Sequence, residues 1–187
     1  MNDLSDEERV VAETRGWVDH AVIGLNLCPF AKAVQAKGQI RYVVSSATKV
    51  GSLLAELRAE MRALAEADPS QVDTTLLIHP GVLQDFFEFN EFLGRAEHAL
   101  EEEDLSGILQ VASFHPQFQF AGTVADDITN ATNRSPYPTL HLLREESVDK
   151  AVAAFPLAEM IYERNIRTLK ELGTEGWLEL EARYRSA

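Results

Sequence analysis

The sequence has a single cysteine, Cys28, and little positive charge. One thiol cannot form an internal disulfide framework, and such sparse cysteine usage is typical of the reducing cytoplasm. Only 17 Lys and Arg residues stand against 30 Asp and Glu residues, which gives a net charge of −13. This charge repels phosphate backbones and anionic membranes at long range, and no basic stripe offsets it. We therefore expect a cytoplasmic protein whose partners include neither nucleic acid nor membrane.

Long apolar runs and familiar catalytic motifs are also missing. The apolar stretches, such as 21–25, are far shorter than the roughly 20 residues of a membrane-spanning helix. The acidic segment from Met1 to Arg9 is not followed by the apolar run of a secretory signal. The sequence contains no glycine-rich phosphate loop, no His-Glu-x-x-His, no Gly-x-Ser-x-Gly and no Rossmann glycine pattern. The usual support for a nucleotide kinase, a zinc protease or an esterase is therefore absent.

Hydrophobic periodicity predicts alternating helices and strands along a chain of 187 residues. Ser5 and Glu8 have the spacing of a capping box ahead of the first helix. The predicted strands cover 39–46, 73–79, 107–114 and 138–144, and the predicted helices cover 7–27, 49–67, 84–103, 147–155, 157–172 and 174–184. Pro156 and Gly173 separate the last three helices. This order favours an α/β or α+β fold, in which residues 1–187 form a single helix-rich domain with a mixed sheet of about four strands.

The stretch 112–140 is unusually poor in charge for so acidic a protein. Its only charged residues are Asp126, Asp127 and Arg134, and its aromatic residues alternate with glutamine and asparagine. Long loops inside compact domains are usually functional or disordered, and the aromatic content argues against disorder. We interpret it as an ordered functional loop, with cover for a sheet edge or a mobile loop as alternatives.

A short helix from Val124 to Asn133 is predicted in the middle of this loop. It would place Asp126, Asn130 and Asn133 on one polar face, which Arg134 continues. These groups suit a small polar or anionic molecule, because a guanidinium makes paired hydrogen bonds to carboxylate or phosphate. The alternative is a self-contained network that holds the loop in shape.

Cys28 and two histidines are the candidates for chemistry. Because Pro29 favours the first position of a helix, Cys28 is predicted at the N-cap of a helix over 29–35, where the helix dipole stabilises a thiolate. The alternative is a small buried apolar residue. His79 and His115 each end a predicted strand and precede a proline. If those strands are parallel, both imidazoles lie at the carboxyl edge of the sheet, where open α/β sheets bind ligands.

The remaining histidines, His20, His98 and His141, are expected to be ordinary surface or packing residues. Structural roles are also common for histidines like His79 and His115, so those two positions keep both interpretations.

Three segments resemble the signatures of a bacterial family labelled domain of unknown function 1415. They are LNLCPFA at 25–31, FHPQFQF at 114–120 and DDITNATNRSPYPTLHLLRE at 126–145. The resemblance runs almost the full length of the chain. It implies a shared fold and a shared site around these segments, and it implies no activity.

The leading hypothesis from the residues is a small enzyme with one pocket at a sheet edge. Cys28 would be the nucleophile or redox centre, and His115 the general base, oriented by Asp127 or Asp126. The substrate would be a small polar or anionic molecule held by Asp126, Asn130, Asn133 and Arg134.

Two further hypotheses use the same region. His79, His115 and one carboxylate, Asp126 or Asp127, form a set suited to iron or zinc. A non-catalytic binding or interaction protein would use the polar face alone. The sequence specifies neither a cofactor nor an oligomeric state.

Overall fold

A computed structural model describes residues 5–155 and 160–186 of the chain. The helices are α1 (Asp6–Trp17), α2 (Ala31–Ala36), α3 (Val50–Glu66), α4 (Phe86–Glu102), α5 (Glu145–Ala154) and α6 (Ile161–Arg185). The strands are β1 (Ile40–Val44), β2 (Thr74–Ile78), β3 (Leu109–Phe114) and β4 (Thr139–Arg144). A π-helix (Val18–Ile23) continues α1, and a 3₁₀-helix (Ile128–Asn133) lies between β3 and β4. All four predicted strands are present.

The four strands form one mixed sheet in the order β1-β2-β4-β3. Strand β1 is parallel to β2, whereas β4 is antiparallel to both of its neighbours, β2 and β3. This confirms the predicted helix-rich α+β fold with a mixed four-stranded sheet. Because β2 and β3 both run opposite to β4, they point the same way, and their carboxyl ends lie at one edge of the sheet.

Each face of the sheet carries its own hydrophobic core. Leu140 and Leu142 of β4 belong to the core shared with α3 and α4. Successive side chains of a strand point to opposite faces. His141, between those two leucines, therefore points to the face where Leu76 and Ile78 of β2 meet α1 and α6. The sheet thus separates two layers of helices and two distinct environments.

The first helix departs from the predicted continuous helix over 7–27. It begins with the predicted capping box, in which Ser5 and Glu8 each accept a backbone N–H of the other. From Val18 to Ile23 it widens into a π-helix. Trp17, just before the π-helix, and Ala21, within it, are both buried in the core that contains Leu76 and Ile78 of β2. Periodicity at 3.6 residues per turn does not reveal such a change.

The C-terminal helices differ from the prediction in one respect. The structure has one element, α6, with a break at Gly173, whose φ of 71° is not helical. A positive φ favours glycine, which explains the predicted boundary at this residue. The predicted stop at Pro156 and start at Leu157 lie outside the described residues.

Candidate functional site

A cavity of about 410 Å³ lies on the sheet face opposite α3 and α4. Its walls come from α2 and α5, and strands β1, β2 and β4 contribute Ile40, Thr74, His141 and Leu143. The other lining residues lie just outside these elements. The lining is mostly apolar: Pro29, Phe30, Ala31, Ala33, Val34, Ile40, Leu143, Val148, Ala151, Ala154 and Phe155. Its polar members are Cys28, Asp73, Thr74, His141 and Ser147. The cavity therefore combines apolar walls with a small set of polar groups.

The imidazole of His141 is held by Thr74 of the neighbouring strand. Thr74 Oγ1 lies 2.5 Å from the carbonyl oxygen of Leu142, which only accepts hydrogen bonds, so the hydroxyl donates its single hydrogen there. The same Oγ1 lies 2.7 Å from Nε2 of His141 and must accept from it. The ring is therefore the Nε2–H tautomer, and Nδ1 carries a lone pair.

Burial keeps this imidazole uncharged. Desolvation lowers the pKa of His141 to about 4, because a charged ring loses its hydration inside the protein. The ring of Phe114 packs beside it, with centroids 5.8 Å apart. At neutral pH His141 is thus a hydrogen-bond acceptor rather than a cation.

Cys28 lines the same cavity but does not cap a helix. Helix α2 begins at Ala31 with Phe30 at the capping position, so the prediction that Cys28 caps a helix over 29–35 is wrong. The backbone at Cys28 is used in a turn, since its carbonyl oxygen accepts from the N–H of Ala31 at 3.3 Å. The thiol is half-buried and free. The structure thus brings Cys28 together with His141, not with His115.

Asp73 is the one carboxylate among the described lining residues. Its Oδ1 accepts a hydrogen bond of 2.6 Å from Ser147 at the start of α5. No lysine or arginine belongs to the described lining. Arg164 stacks on the ring of Phe155 at 5.9 Å without lining the cavity, and it donates to the carbonyl oxygen of Asn26. The charge of the described lining is therefore negative.

His115 lies on the other side of the sheet and is fully hydrogen-bonded. Its Nδ1 accepts from the backbone N–H of Gln117 at 3.0 Å, so Nε2 carries the hydrogen and donates to the Leu83 carbonyl at 3.2 Å. Its ring packs against Phe86 and Phe89 of the α3–α4 core. Cys28 packs against the opposite core. The predicted pairing of Cys28 with His115 is therefore not formed, and burial lowers the pKa of His115.

His79 lies at the carboxyl edge of the sheet together with His115, as expected for strands of one direction. The ring of Phe89 packs against both, with centroids 5.6 Å from His79 and 5.1 Å from His115. His79 Nδ1 is 3.0 Å from the Val82 carbonyl oxygen, and burial lowers the pKa of His79 to about 4. The ring is a packing group in the α3–α4 core.

The predicted metal ligands are not assembled. Within residues 5–155 and 160–186, no group of three or more His, Cys, Asp or Glu side chains is close enough to hold a metal ion. His115 uses both ring nitrogens in hydrogen bonds to backbone, as described above. Asp127 uses its carboxylate to cap the 3₁₀-helix, accepting from the backbone N–H and the hydroxyl of Thr129 at 2.9 and 2.7 Å.

The centre of the 112–140 loop is organised by Asn130. The predicted helix over 124–133 is shortened to the 3₁₀-helix, and Asn130 is fully buried rather than on an exposed polar face. Its Oδ1 accepts from the Phe120 N–H and the Thr123 hydroxyl, and its Nδ2 donates to the Val124 carbonyl. Asn133 likewise donates to the carbonyl oxygen of Ser113. These contacts are those of the alternative, a network that holds the loop.

Arg134 is half-buried and bonded to the backbone of its own loop. Its Nε donates to the Phe118 carbonyl at 3.4 Å, and one terminal nitrogen donates to the Ala125 carbonyl at 2.5 Å. Burial lowers the pKa of this guanidinium, while the nearby carboxylates of Glu181, Asp127 and Asp126 act in the opposite direction. An anion site at Arg134 stays a prediction, and it lies outside the cavity.

His141 is the functional candidate that the sequence interpretation missed. The alternation Leu140-His141-Leu142 in a strand places the histidine opposite to two buried leucines. That pattern alone marks a polar side chain on the second face of the sheet. It does not reveal Thr74, which is 67 residues away in sequence.

A comparison with protein families finds one match. The profile of a family described as "Protein of unknown function (DUF1415)" matches residues 9–179. That range contains every described residue of the cavity. No curated protein and no solved structure matches the chain. In the described part of the chain, no helix has the length and apolar character needed to cross a bilayer.

Proposed function

The chain belongs to the DUF1415 family of proteins of unknown function, and we propose that it binds a small molecule in the cavity between α2 and α5. One observation carries this proposal: an apolar space of about 410 Å³ has polar groups from β2, β4 and α5 around it. Binding sites for small molecules have this size and this combination of lining groups.

The two kinds of lining have separate roles in this proposal. Burial of ligand surface against Val34, Ile40 and Leu143 supplies most of the affinity. The imidazole of His141 supplies direction, because Thr74 fixes its tautomer and leaves Nδ1 as an acceptor. A neutral ring held in one orientation selects a ligand that presents a donor hydrogen at that place.

Catalysis by Cys28 in a small cytoplasmic enzyme is the second candidate function. It is favoured by the position of the thiol in the same cavity as His141, where a bound molecule would contact both. The pKa of His141, about 4, makes this imidazole a weak base, because efficient proton transfer needs a pKa near the working pH. Binding is therefore the better supported of the two functions.

The binding proposal is tested with a neutral probe, benzyl alcohol, titrated into labelled protein and followed by amide NMR. We expect saturable shifts at α2, α5 and the β4 residues of the cavity. Ala151→Leu puts a larger side chain into the cavity and should weaken binding, whereas Ala153→Leu, on an exposed position of the same helix, is the control and leaves the shifts unchanged. Shifts that Ala151→Leu leaves unchanged, or that lie elsewhere, contradict the proposal.

Alkylation measures the second candidate separately. Iodoacetamide applied to the native protein should modify Cys28 at a rate that Ala151→Leu reduces. If His141 assists the thiol, His141→Gln lowers the native rate and leaves the rate in denaturant unchanged. An equal native rate in the variant and the parent would rule out His141 as a base.

A further inference from the structure

Resting on the proposed binding function, the geometry points to the class of ligand: an organic ammonium ion, that is, a primary amine attached to an apolar body. The ammonium group would lie between the carboxylate of Asp73 and Nδ1 of His141, and the apolar body would occupy the space between α2 and α5.

The side-chain hydroxyl and imidazole hydrogens of the polar lining are already used inside the protein. The Ser147 hydroxyl donates to Asp73, the Thr74 hydroxyl donates to the Leu142 carbonyl, and His141 Nε2–H donates to Thr74. Apart from the weakly donating thiol of Cys28, these side chains therefore offer lone pairs. A ligand that satisfies them must bring its own hydrogens, and an ammonium group brings three.

The negative charge of the lining also favours a ligand with an ammonium group. Asp73 takes part in no ion pair within the described residues, and the described lining contains no lysine or arginine. A cation bound beside it gains a charge-assisted hydrogen bond to the carboxylate. The chain as a whole, with a net charge of −13, attracts cations from a distance.

Other ligand classes fit this lining less well. A carboxylate or phosphate would meet Asp73 without a compensating cation, and repulsion between like charges in a partly desolvated site is costly. A neutral apolar molecule would cover Asp73 and leave its free oxygen without a partner. Of these three classes, only the amine satisfies both the carboxylate and the imidazole.

Three probes that share one ring and differ in one group test this inference: benzylamine, benzyl alcohol and benzoate. Dissociation constants are measured by amide NMR at neutral pH on the full chain. We expect benzylamine to bind about tenfold more tightly than benzyl alcohol, the gain typical of one charge-assisted hydrogen bond, and benzoate to bind more weakly than either.

Asp73→Asn removes the charge and keeps an oxygen that accepts from Ser147. It should bring the dissociation constant of benzylamine to within about threefold of the constant for benzyl alcohol measured on the same variant. Asp149→Asn, an exposed position of α5 outside the lining, removes the same charge and is the matched control. Higher salt should weaken the amine only, because screening acts on the ion pair.

The outcomes separate this inference from the binding proposal. Benzyl alcohol that binds in the cavity while benzylamine gains nothing, or while benzoate binds as well, overturns the inference and leaves the binding proposal intact. Equal losses of amine affinity in Asp73→Asn and Asp149→Asn overturn it too, because they indicate a general charge effect. Failure of all three probes to shift the cavity residues overturns both.

Discussion

Thr74 Oγ1 accepts a hydrogen bond from His141 Nε2 at 2.7 Å, across the antiparallel pair of β2 and β4. In the register of that pair His141 lies opposite Leu76, so Thr74 is its diagonal neighbour on the same face of the sheet. The hydroxyl in turn donates to the Leu142 carbonyl. One threonine thus connects a backbone carbonyl to the ring that lines the cavity and determines which ring nitrogen carries the hydrogen.

In Thr74→Val the hydrogen of the His141 ring should therefore no longer be fixed on Nε2. Valine matches the shape of threonine but has no hydroxyl, so His141 Nε2–H and the Leu142 carbonyl lose a common partner. Each unpaired buried group costs about 1–3 kcal/mol, and we expect the free energy of unfolding to fall by that order. Ring nitrogen shifts of ¹⁵N-histidine report the tautomer, and urea unfolding reports the stability.

Thr74→Ser is the matched control, because it keeps the hydroxyl and removes only a methyl group. It should retain the Nε2–H signature. A valine variant whose ring shifts equal those of the parent protein would contradict the role assigned to Thr74.

Most of the fold could be predicted from the sequence, because the signals for its helices and strands are local. The strands are short and bounded by turns, β1 and β2 are rich in β-branched residues, and α3 and α4 show the apolar spacing of helices. The π-helix after Trp17 and the late start of α2 at Ala31 could not be predicted from the sequence. Both depend on contacts made by the finished structure, which periodicity and a Cys-Pro pair do not encode.

The site was less accessible, because it forms from distant segments. Cys28, Thr74 and His141 lie in three regions of the sequence, and only the pairing of β2 with β4 brings Thr74 to His141. Cys28 was selected from the sequence, but its expected partner, His115, belongs to the other face of the sheet. The two His-Pro pairs predicted correctly that His79 and His115 lie at the end of a strand. They predicted function less well, because both histidines are buried and pack in the core.

The loss of hydration at the rings of His79 and His141 should make the protein sensitive to acid. The pKa values of His79 and His141 are lowered to about 4, against about 6.5 in the unfolded chain. Between these values the unfolded state binds more protons, so stability is full above about pH 6.5 and is lost as the pH falls towards 4. Each histidine accounts for on the order of 3 kcal/mol of that loss.

Urea unfolding at a series of pH values measures this slope. In His141→Gln the free energy of unfolding should fall less steeply between pH 6.5 and 4, and the difference from the parent protein should equal the contribution of one histidine. His98→Gln, at an exposed position of α4, is the control for loss of a histidine. A parent protein with constant stability over this range would show that these rings are charged or accessible in the fold.

Asn130 is expected to be essential for the order of the 112–140 loop. Asn130→Asp keeps the oxygen that accepts from Phe120 and Thr123 but replaces the donor to Val124 with a buried charge. We expect a loss of about 2–4 kcal/mol, the order found when a buried polar group loses its partner and a charge is buried unpaired. Thermal unfolding and amide exchange of residues 118–125 measure it. Asn133→Asp, which removes one donor at a less buried place, should cost less, and equal costs would contradict the central role of Asn130.

Arg134 is expected to act as a structural residue rather than as an anion receptor. Its guanidinium donates to the Phe118 and Ala125 carbonyls, and so joins the two arms of the loop. Carboxylates of Asp126, Asp127 and Glu181 lie close enough to influence its charge, which makes the surroundings unfavourable for an added anion. Arg134→Ala should therefore lower the free energy of unfolding by about 1–3 kcal/mol, because two carbonyls in a half-buried loop lose their donor. Arg134→Lys should not restore the stability, since one ammonium does not reproduce the fork of the guanidinium.

Phosphate or sulfate at millimolar concentration should leave the melting temperature of the parent protein unchanged relative to chloride of equal ionic strength. A ligand of the folded state raises that temperature by mass action, so a concentration-dependent rise that disappears in Arg134→Ala would establish the anion site instead.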